Sequence, residues 1–470
     1  MDPLSLSTLG CVARDRRHSV QPEAFPIVHL GPGAFHRAHQ AVYTDEILGA
    51  GHADWGILAM ASRSNAAVEA LERQDGLFSV AVQSSNDGFD DLRVCRSIGA
   101  WRHRRQLAAT IASSEVRLVT STVTEAAYRA SGGSPPSPNP LLESIVTGLL
   151  QRWRRGAAPL GFLPCDNLVD NGARLRRALA TEAVRAGAPD GYFAWVEEHV
   201  SFASSVVDRI VPAPTAHDRA RVATELGLLD ELAVVTEPFS LWVFEDRFAA
   251  GRPPWEIAGA IPVADVRSYE DLKLRVLNAA HSMVAYLGLL AGYHMVSEAI
   301  NDAAIHAAVA AFHEHEALVT LQPLVGVDPA EYADTARRRF LNPGLPYTLA
   351  QVASSGSVKI PERLLPMVAD LIAAGRMPYY CALTIAAWVR LVELGATGPT
   401  SFSDQREKEL SNRCRGQSAR QLVIDLLGAL DGEPAQIVVD DATFVALAAE
   451  HLAALRSGGL DSVIDGPRRS

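Results

Sequence analysis

Cysteine is scarce in this chain of 470 residues: Cys11, Cys95, Cys165, Cys381 and Cys414 are scattered, and none forms a Cys-x-x-Cys pair. That spacing argues against a disulfide framework and against zinc of the Cys/His type. Long apolar runs are missing too. None reaches the roughly 20 residues that a membrane span needs, and Arg14, Arg16 and Arg17 are not followed by the apolar core of a secretory leader. The expected setting is cytoplasmic and reducing, with no membrane partner. Basic residues are outnumbered, 43 Lys and Arg against 54 Asp and Glu for a net charge of −11, so no basic surface invites nucleic acid or anionic lipid. A small anionic substrate would need a local basic pocket. With 48% hydrophobic and 21% charged residues the composition is globular. The length exceeds one ordinary core, and two domains are expected.

The pattern changes near residue 265. Before it, short apolar runs (Ile27 to Leu30, Trp55 to Met60, Leu77 to Val82, Val116 to Thr122, Pro159 to Leu163) alternate with helical segments, which implies a parallel sheet covered by helices. The Gly, Ser and Pro-rich stretch from Ala130 to Pro140 reads as a surface loop ahead of a helix from Leu141 to Arg155. After residue 265 strand signals fade. Tyr269 to Leu290, Ala303 to Glu316, Pro361 to Ala374, Tyr380 to Leu394 and Ser418 to Leu430 all show helical spacing.

One of these helices carries chemistry-bearing residues. In the stretch from Tyr269 to Gly288, Lys273, Asn278 and His281 interrupt an otherwise apolar sequence. At about 100° per residue they fall near 0°, 140° and 80° around the axis, with Glu270 near 60°, so all four share one face. Leu272, Leu274, Val276, Leu277, Met283, Val284 and Leu287 are spread too evenly for a surface helix, which predicts burial on most sides. A lysine in such a place must be paired or used. Burial and nearby positive charge would bring its pKa toward neutrality and suit it to general acid/base work. An asparagine amide can hold an alcohol or carbonyl oxygen, and a histidine can orient a hydroxyl. The set suits carbonyl/alcohol interconversion; the plainer alternative is a snorkelling lysine beside a satisfied core histidine.

Near the N-terminus a short strand, Pro26 to Leu30, runs into Gly31-Pro32-Gly33-Ala34-Phe35-His36-Arg37. Strand, glycine turn and helix start are the elements that let a pyrophosphate approach the backbone. The third glycine is missing, and His36 stands in its place. His29, His36 and His39 have no Cys or acidic partners beside them, which weighs against a metal site. Tyr269-x-x-x-Lys273 matches the Tyr/Lys pair of short-chain dehydrogenases, but about 240 residues separate it from the glycine turn, so Tyr269 is expected to have no catalytic part.

The stretch Ile27 to Gln40 resembles the N-terminal signature of the mannitol dehydrogenase family, the polyol-specific long-chain dehydrogenases that include mannitol 2-dehydrogenases and fructuronate reductases. Later segments agree in order: Thr122-Val-Thr-Glu125, Cys165-Asp-Asn167-Leu, Val207-Asp-Arg-Ile210, Glu237-Pro-Phe, Trp242-Val-Phe-Glu-Asp246 and Lys273 to His281. The first block and Trp195-Val-Glu-Glu-His-Val are slightly more similar to fructuronate reductases. The resemblance implies an α/β, Rossmann-like NAD(P)-binding domain over residues 22–264 and a mostly α-helical substrate and catalytic domain over 265–470. It gives Lys273 the role of general acid/base, Asn167 and Asn278 that of holding the reacting oxygen, and His281 that of binding a neighbouring hydroxyl. Glu270 would relay the lysine's proton, and Asp208 and Arg376 would complete the polyol pocket. Leu30, Gly31, Pro32, Gly33, Ala34, Phe35, His36, Arg37, Arg63 and Thr122 would bind the dinucleotide. A metal-independent monomer is implied.

Some positions depart from the family pattern. Leu277-Asn-Ala-Ala-His281 stands where Leu-Asn-Gly-Ser-His is common, and Thr124-Glu-Ala-Ala-Tyr128 replaces a glycine pair in a loop expected near the nicotinamide. After the second strand, Ala61-Ser-Arg-Ser-Asn-Ala66 lacks an acidic residue for the adenosine ribose. Arg63 could instead accept a 2′-phosphate, so NAD is expected with NADP as the alternative. Mannitol, arabinitol, fructuronate, tagaturonate or a sugar phosphate such as mannitol 1-phosphate would each suit some version of this site. A noncatalytic dinucleotide-binding metabolite sensor is the competing reading.

Overall fold

The computed structural model describes residues 1–17, 20–62, 64–85, 88–123, 139–344, 347–397, 403–414, 416–458 and 460. The chain divides into two compact units, Met1–Arg267 and Ser268–Ser470. The first contains β1 (Ile27–Leu30), β2 (Ile57–Met60), β3 (Phe78–Val82), β4 (Asp91–Cys95), β5 (Ile98–Arg102), β6 (Leu118–Ser121), β7 (Leu160–Pro164), β8 (Val200–Phe202), β9 (Ser205–Asp208), β10 (Val234–Thr236), β11 (Leu241–Glu245) and β12 (Ile261–Val263). Six of them form one sheet in the order β5-β2-β1-β6-β7-β8, with every pairing parallel. Counted along the sheet's own strands this is the order 3-2-1-4-5-6 of a doubly wound, Rossmann-like fold, as the alternating pattern implied. The Leu77–Val82 run is the exception. It becomes β3, which leaves the main sheet, pairing antiparallel with β4 and parallel with β10. The third strand of the main sheet is β5 instead. Its half-exposed Trp101 and exposed Arg102 give an edge strand no continuous apolar signal.

Both faces of this sheet are covered. Ile27, Ile57 and Leu118 face a core with the buried helix Gln40–Gly49 and the rings of Tyr43, Trp242, Phe244 and Trp255. Val28, Leu30, Leu58 and Val119 face a second core under the helix Pro140–Arg154. That helix begins as the sequence suggested: Pro140 stands in its first turn, and the Asn139 side chain accepts from the N–H groups of Leu141 and Leu142. The registers of β1 place Leu30 beside Met60 on one side and Ser121 on the other, so three strands end level.

The second unit is helical among its described residues. Its helix Ala279–Leu290 is buried on all sides as far as Gly288, save for half-buried His281. It packs against the helices Leu349–Ala353 and Tyr379–Thr397. The expected helix from Pro361 to Ala374 is two: Gly356–Arg363 and Leu365–Ala373. Pro366 explains the break, because it has no N–H to give to the preceding turn and its ring would strike a carbonyl there. No helix among the described residues is long and apolar enough to cross a membrane.

Arg152 fastens the entries to β6 and β7. Fully enclosed, it donates to the carbonyls of Ile111, Ser113, Val116, Ala158 and Pro159 at 2.5 to 3.1 Å. Burial lowers its pKa to about 10, which leaves it charged at neutral pH. Replacing it with leucine strands several carbonyls, each costing about 1–3 kcal/mol when buried without a donor. Urea unfolding of Arg152→Leu should show a loss of at least about 3 kcal/mol; a loss below about 1 kcal/mol would mean that water reaches those carbonyls.

Candidate active site

At the carboxyl end of β1 the chain turns at Gly31 with φ +86°. A Cβ there would stand 2.9 Å from the Thr122 carbonyl oxygen, so the position accepts only glycine. The turn is fixed from below by His29. Its Nδ1 lies 2.7 Å from Thr120 Oγ1 and its Nε2 2.9 Å from Thr122 Oγ1, while the Thr122 hydroxyl donates to the Gly31 carbonyl at 2.7 Å. With that hydroxyl's hydrogen committed, the imidazole donates through Nε2 and accepts through Nδ1. It is neutral, since burial lowers its pKa to about 3.

Gly33 is exposed, with an ordinary φ of −74°. Around the place a Cβ would occupy, only the Gly31 carbonyl lies within 4 Å, at 3.9 Å. Such an open cradle before a helix start fits the phosphates of a dinucleotide. Ala34 and Phe35 are half-buried at its edge. His36 and Arg37 are different. The His36 ring is fully buried, stacked on His29 at 3.4 Å, and its pKa is pushed well down, chiefly by burial. The Arg37 guanidinium donates to the carbonyls of Pro32 and Leu232 at 2.7 and 3.0 Å. Expected as dinucleotide contacts, both side chains instead hold the turn from inside, together with buried Leu30 and Pro32. His39 is also committed, its Nε2 3.0 Å from the Leu241 carbonyl and its Nδ1 3.0 Å from Gln40 Nε2. Among the described residues no three of His, Cys, Asp and Glu gather as a metal-ligand set.

Asp166, which sequence reasoning passed over inside Cys165-Asp-Asn167, links two strand ends. Its carboxylate accepts from Ser121 Oγ at 2.9 Å and from the Val123 N–H at 2.5 Å. Asn171 holds the same corner, donating to the Asp166 and Ser205 carbonyls and accepting from the Ser205 N–H. Asn167, next in the chain, is left exposed. Asp208 ends β9 and is 4% exposed. Its neighbour Arg209 sends its guanidinium to the main-chain carbonyls of Ala38 and Glu237.

In the second unit the predicted continuous helix is interrupted. An α-helical segment, Arg267–Leu272, leads into a π-helical turn over Lys273–Asn278, with the Ala279 N–H bonded to the Leu274 carbonyl five residues back. At α-helical pitch Lys273 and Asn278 would sit about 140° apart. The i→i+5 bonding of the π-helical turn adds a residue to that turn, which narrows the angle between them. Lys273, Asn278 and His281 are all half-buried, whereas Val276, Leu277, Ala279 and Ala280 are buried. Lys273 is therefore more open than the sequence suggested, and Glu270 is the buried member at 7% exposure. The His281 ring is stacked on Phe340 at 4.9 Å and meets Tyr347 edge-on at 5.2 Å. Neither aromatic stands out in sequence.

One further basic residue reaches this turn, and a second stands on the same helix before it. Arg363 reaches the Asn278 carbonyl at 3.4 Å and Ser282 Oγ at 3.2 Å. Lys359, one helical turn earlier, is half-buried and donates to the Val352 carbonyl; burial, reinforced by Arg363, lowers its pKa to about 8. Arg376 does not join them. It is exposed after the helix Leu365–Ala373, with its guanidinium 3.5 Å from the His315 carbonyl, because the chain leaves that helix on the surface. Tyr269 is spent on structure: its hydroxyl donates to the Val325 carbonyl at 2.6 Å and accepts from the Val325 N–H at 3.2 Å. Arg63 and the Thr124–Tyr128 loop lie outside the described residues.

Residues 25–257 match the model of the mannitol dehydrogenase Rossmann domain, and residues 265–433 that of the mannitol dehydrogenase C-terminal domain. The chain is 35% identical over 455 residues to the uncharacterized oxidoreductase YeiQ of Escherichia coli (strain K12), covering 91% of each. It is 35% identical over 391 residues to D-mannonate oxidoreductase of the same organism, covering 78% of this chain and 80% of the relative. Among solved structures, mannitol 2-dehydrogenase of Pseudomonas fluorescens, in a ternary complex with NAD and D-mannitol, superposes with a TM-score of 0.84 at 31% identity over 98% of both chains.

The two glycines of the turn should separate on substitution. Gly31→Ala places a side chain at positive φ, about 1–2 kcal/mol by itself, and against a backbone oxygen; chemical denaturation should register a loss of at least about 2 kcal/mol. Gly33→Ala should stay within about 0.5 kcal/mol of the parent. Equal losses would show that the open cradle at Gly33 has been misread.

Proposed function

This chain belongs to the mannitol dehydrogenase family, and on that premise we propose that it is a metal-independent dehydrogenase or reductase that moves hydride between a nicotinamide dinucleotide and a linear polyol, ketose or hexuronate. The observation that carries the chemical part is the π-helical turn, which begins at a half-buried lysine and ends at a half-buried asparagine, three residues before a histidine held against two aromatic rings. NAD, with NADP as the alternative, would be held by the turn at Gly31 and Gly33, by Ala34 and Phe35 at its edge and by Thr122, and would supply the hydride acceptor or donor.

Lys273 takes the alcohol proton in oxidation and returns it in reduction. Asn278 donates its amide N–H to the reacting oxygen, where alkoxide charge develops and a fixed donor is worth about 2.7–4 kcal/mol. His281 binds an adjoining hydroxyl in an orientation set by Phe340 and Tyr347. Glu270, three residues before Lys273, passes the proton outward. The family pattern further gives Asn167 an oxygen-holding part and Asp208 a polyol-binding part. Lys359 and Arg363 give an otherwise acidic chain the local positive charge that a hexuronate carboxylate needs, which favours a hexuronate over a sugar without an anionic group.

The purified protein should oxidise NADH or NADPH with at least one member of a panel of ketoses, hexuronates and ketose phosphates in buffer containing a metal chelator. On that substrate Lys273→Ala should lose about 10²- to 10⁴-fold in kcat, and Tyr269→Phe should keep the parent rate. Equal loss in both would restore the Tyr/Lys pair as the catalytic couple. Silence across the panel, with the dinucleotide still bound, would turn the assignment toward a metabolite sensor.

A further inference from the structure

The π-helical turn that presents Lys273 and Asn278 is unusual backbone, and something must favour it over the α-helix that flanks it. Passing from i→i+4 to i→i+5 bonding and back skips one carbonyl in the backbone ladder, so the segment holds one acceptor more than its own N–H groups can serve. Val276, in the middle of the turn, has its carbonyl 2.9 Å from Nε2 of His313. His313 is fully buried and opens a second π-helical turn, His313–Ala317. Its other nitrogen, Nδ1, lies 2.9 Å from the guanidinium of Arg337, which also pairs with Asp334.

The chemistry of these partners fixes the proton. A guanidinium can only donate, so Nδ1 must accept and the imidazole's hydrogen sits on Nε2, aimed at the Val276 carbonyl. Burial, with Arg337 adding to it, lowers the His313 pKa to about 4, so the ring stays neutral where an enzyme works. The second turn is itself anchored: the Glu316 carboxylate accepts from the N–H groups of Tyr380 and Cys381 at 2.6 and 2.8 Å, at the start of the helix Tyr379–Thr397.

We propose that His313, held in one tautomer by Arg337, is a positioning residue that keeps the Lys273–Asn278 segment in its π-helical form through the Val276 carbonyl. Without this donor the segment relaxes toward α-helical pitch, which rotates Asn278 away from Lys273 and separates the base from the oxygen holder. The role rests on the reading of Lys273 as general base, and it concerns a residue that touches neither substrate nor dinucleotide.

Two homologous amides, one methylene apart, test it. Gln at position 313 can place an N–H near Nε2 and keep the bond to Val276, whereas Asn reaches only as far as Nδ1 and loses it. His313→Asn and His313→Leu should lower kcat about 10²-fold, the scale of a 1 Å misplacement, with the KM for the dinucleotide unchanged. His313→Gln should recover most of the rate. Amide exchange across residues 274–281 should quicken about tenfold in the Asn and Leu variants and not in Gln, a readout that needs no turnover. Arg337→Met, which leaves His313 in place but frees its tautomer, should show a smaller kcat loss of about tenfold.

Wild-type kcat in His313→Leu, or equal loss and equal exchange in the Asn and Gln variants, would overturn the proposal. Lys273→Ala separates the two levels of argument. Its retention of the wild-type rate overturns the lysine's role and this one with it; loss there beside an unaffected His313→Leu overturns the positioning role alone.

Discussion

The parallel pairing of β1 on both edges is the constraint from which the first unit's site follows. Its four residues are buried, and each is matched to β2 on one side and β6 on the other. A strand fixed in that way cannot slip by one residue without exchanging its two hydrophobic faces. Leu30, Met60 and Ser121 consequently end level, and the chain leaves all three at one edge, where the strand order reverses. Gly31 then has no freedom: the Thr122 carbonyl stands where its side chain would be. The buried His29, neutral and doubly hydrogen-bonded, couples the loop after β1 to the loop after β6. The family signature in this stretch is therefore largely a description of how a turn is held from beneath. Gly33, Ala34 and Phe35 are what the turn leaves open.

The second unit solves a different problem, namely how to keep polar groups half-exposed on a helix that is buried nearly all round. A regular α-helix advancing about 100° per residue leaves residues five apart about 140° from each other. A single wide turn narrows that angle, and π-turns are frequent at functional sites. The cost is backbone hydrogen bonding, and it is met locally by side chains from other helices. Arg363 at the Asn278 carbonyl and His313 at the Val276 carbonyl approach the same turn from different helices. The turn is therefore a tertiary feature that sits on a local sequence.

That distinction explains what the sequence could and could not disclose. Apolar runs located β1, β2, β6 and β7 to within about two residues, because strands buried on both faces read as continuous hydrophobic stretches. Edge strand β5 and the excursion through β3 and β4 were not legible, since membership of a sheet is decided by partners far along the chain. Lys273, Asn278 and His281 stood out as polar interruptions of an apolar helix. Helical periodicity put them on one face but gave no sign of the π-turn, whose buried contact with His313 no local periodicity connects to them. Arg376 shows a different gap: the family resemblance gave it a place in the polyol pocket, while its position after a helix end leaves it exposed near the His315 carbonyl. Lys359 and Arg363, on a short helix containing a proline, gave no comparable signal.

The departures from the family pattern also take on a definite physical meaning. Ala279 and Ala280 stand between Asn278 and His281, where the family commonly has a Gly-Ser pair. Both residues are fully buried, on the side of the helix that packs into the unit, whereas Asn278 and His281 on either side of them are half-open. The added methyl and the lost hydroxyl therefore alter packing, and extra apolar contact in a close-packed interior steadies the helix that follows the turn. Glycine just after the π-turn would leave the backbone freer; alanine, the best helix former, restores α-helical geometry at once and sharpens the boundary of the wide turn. A change that first suggests lost catalysis is, in this position, a stiffer support for the residues that would perform it, and it lends the sensor reading no weight.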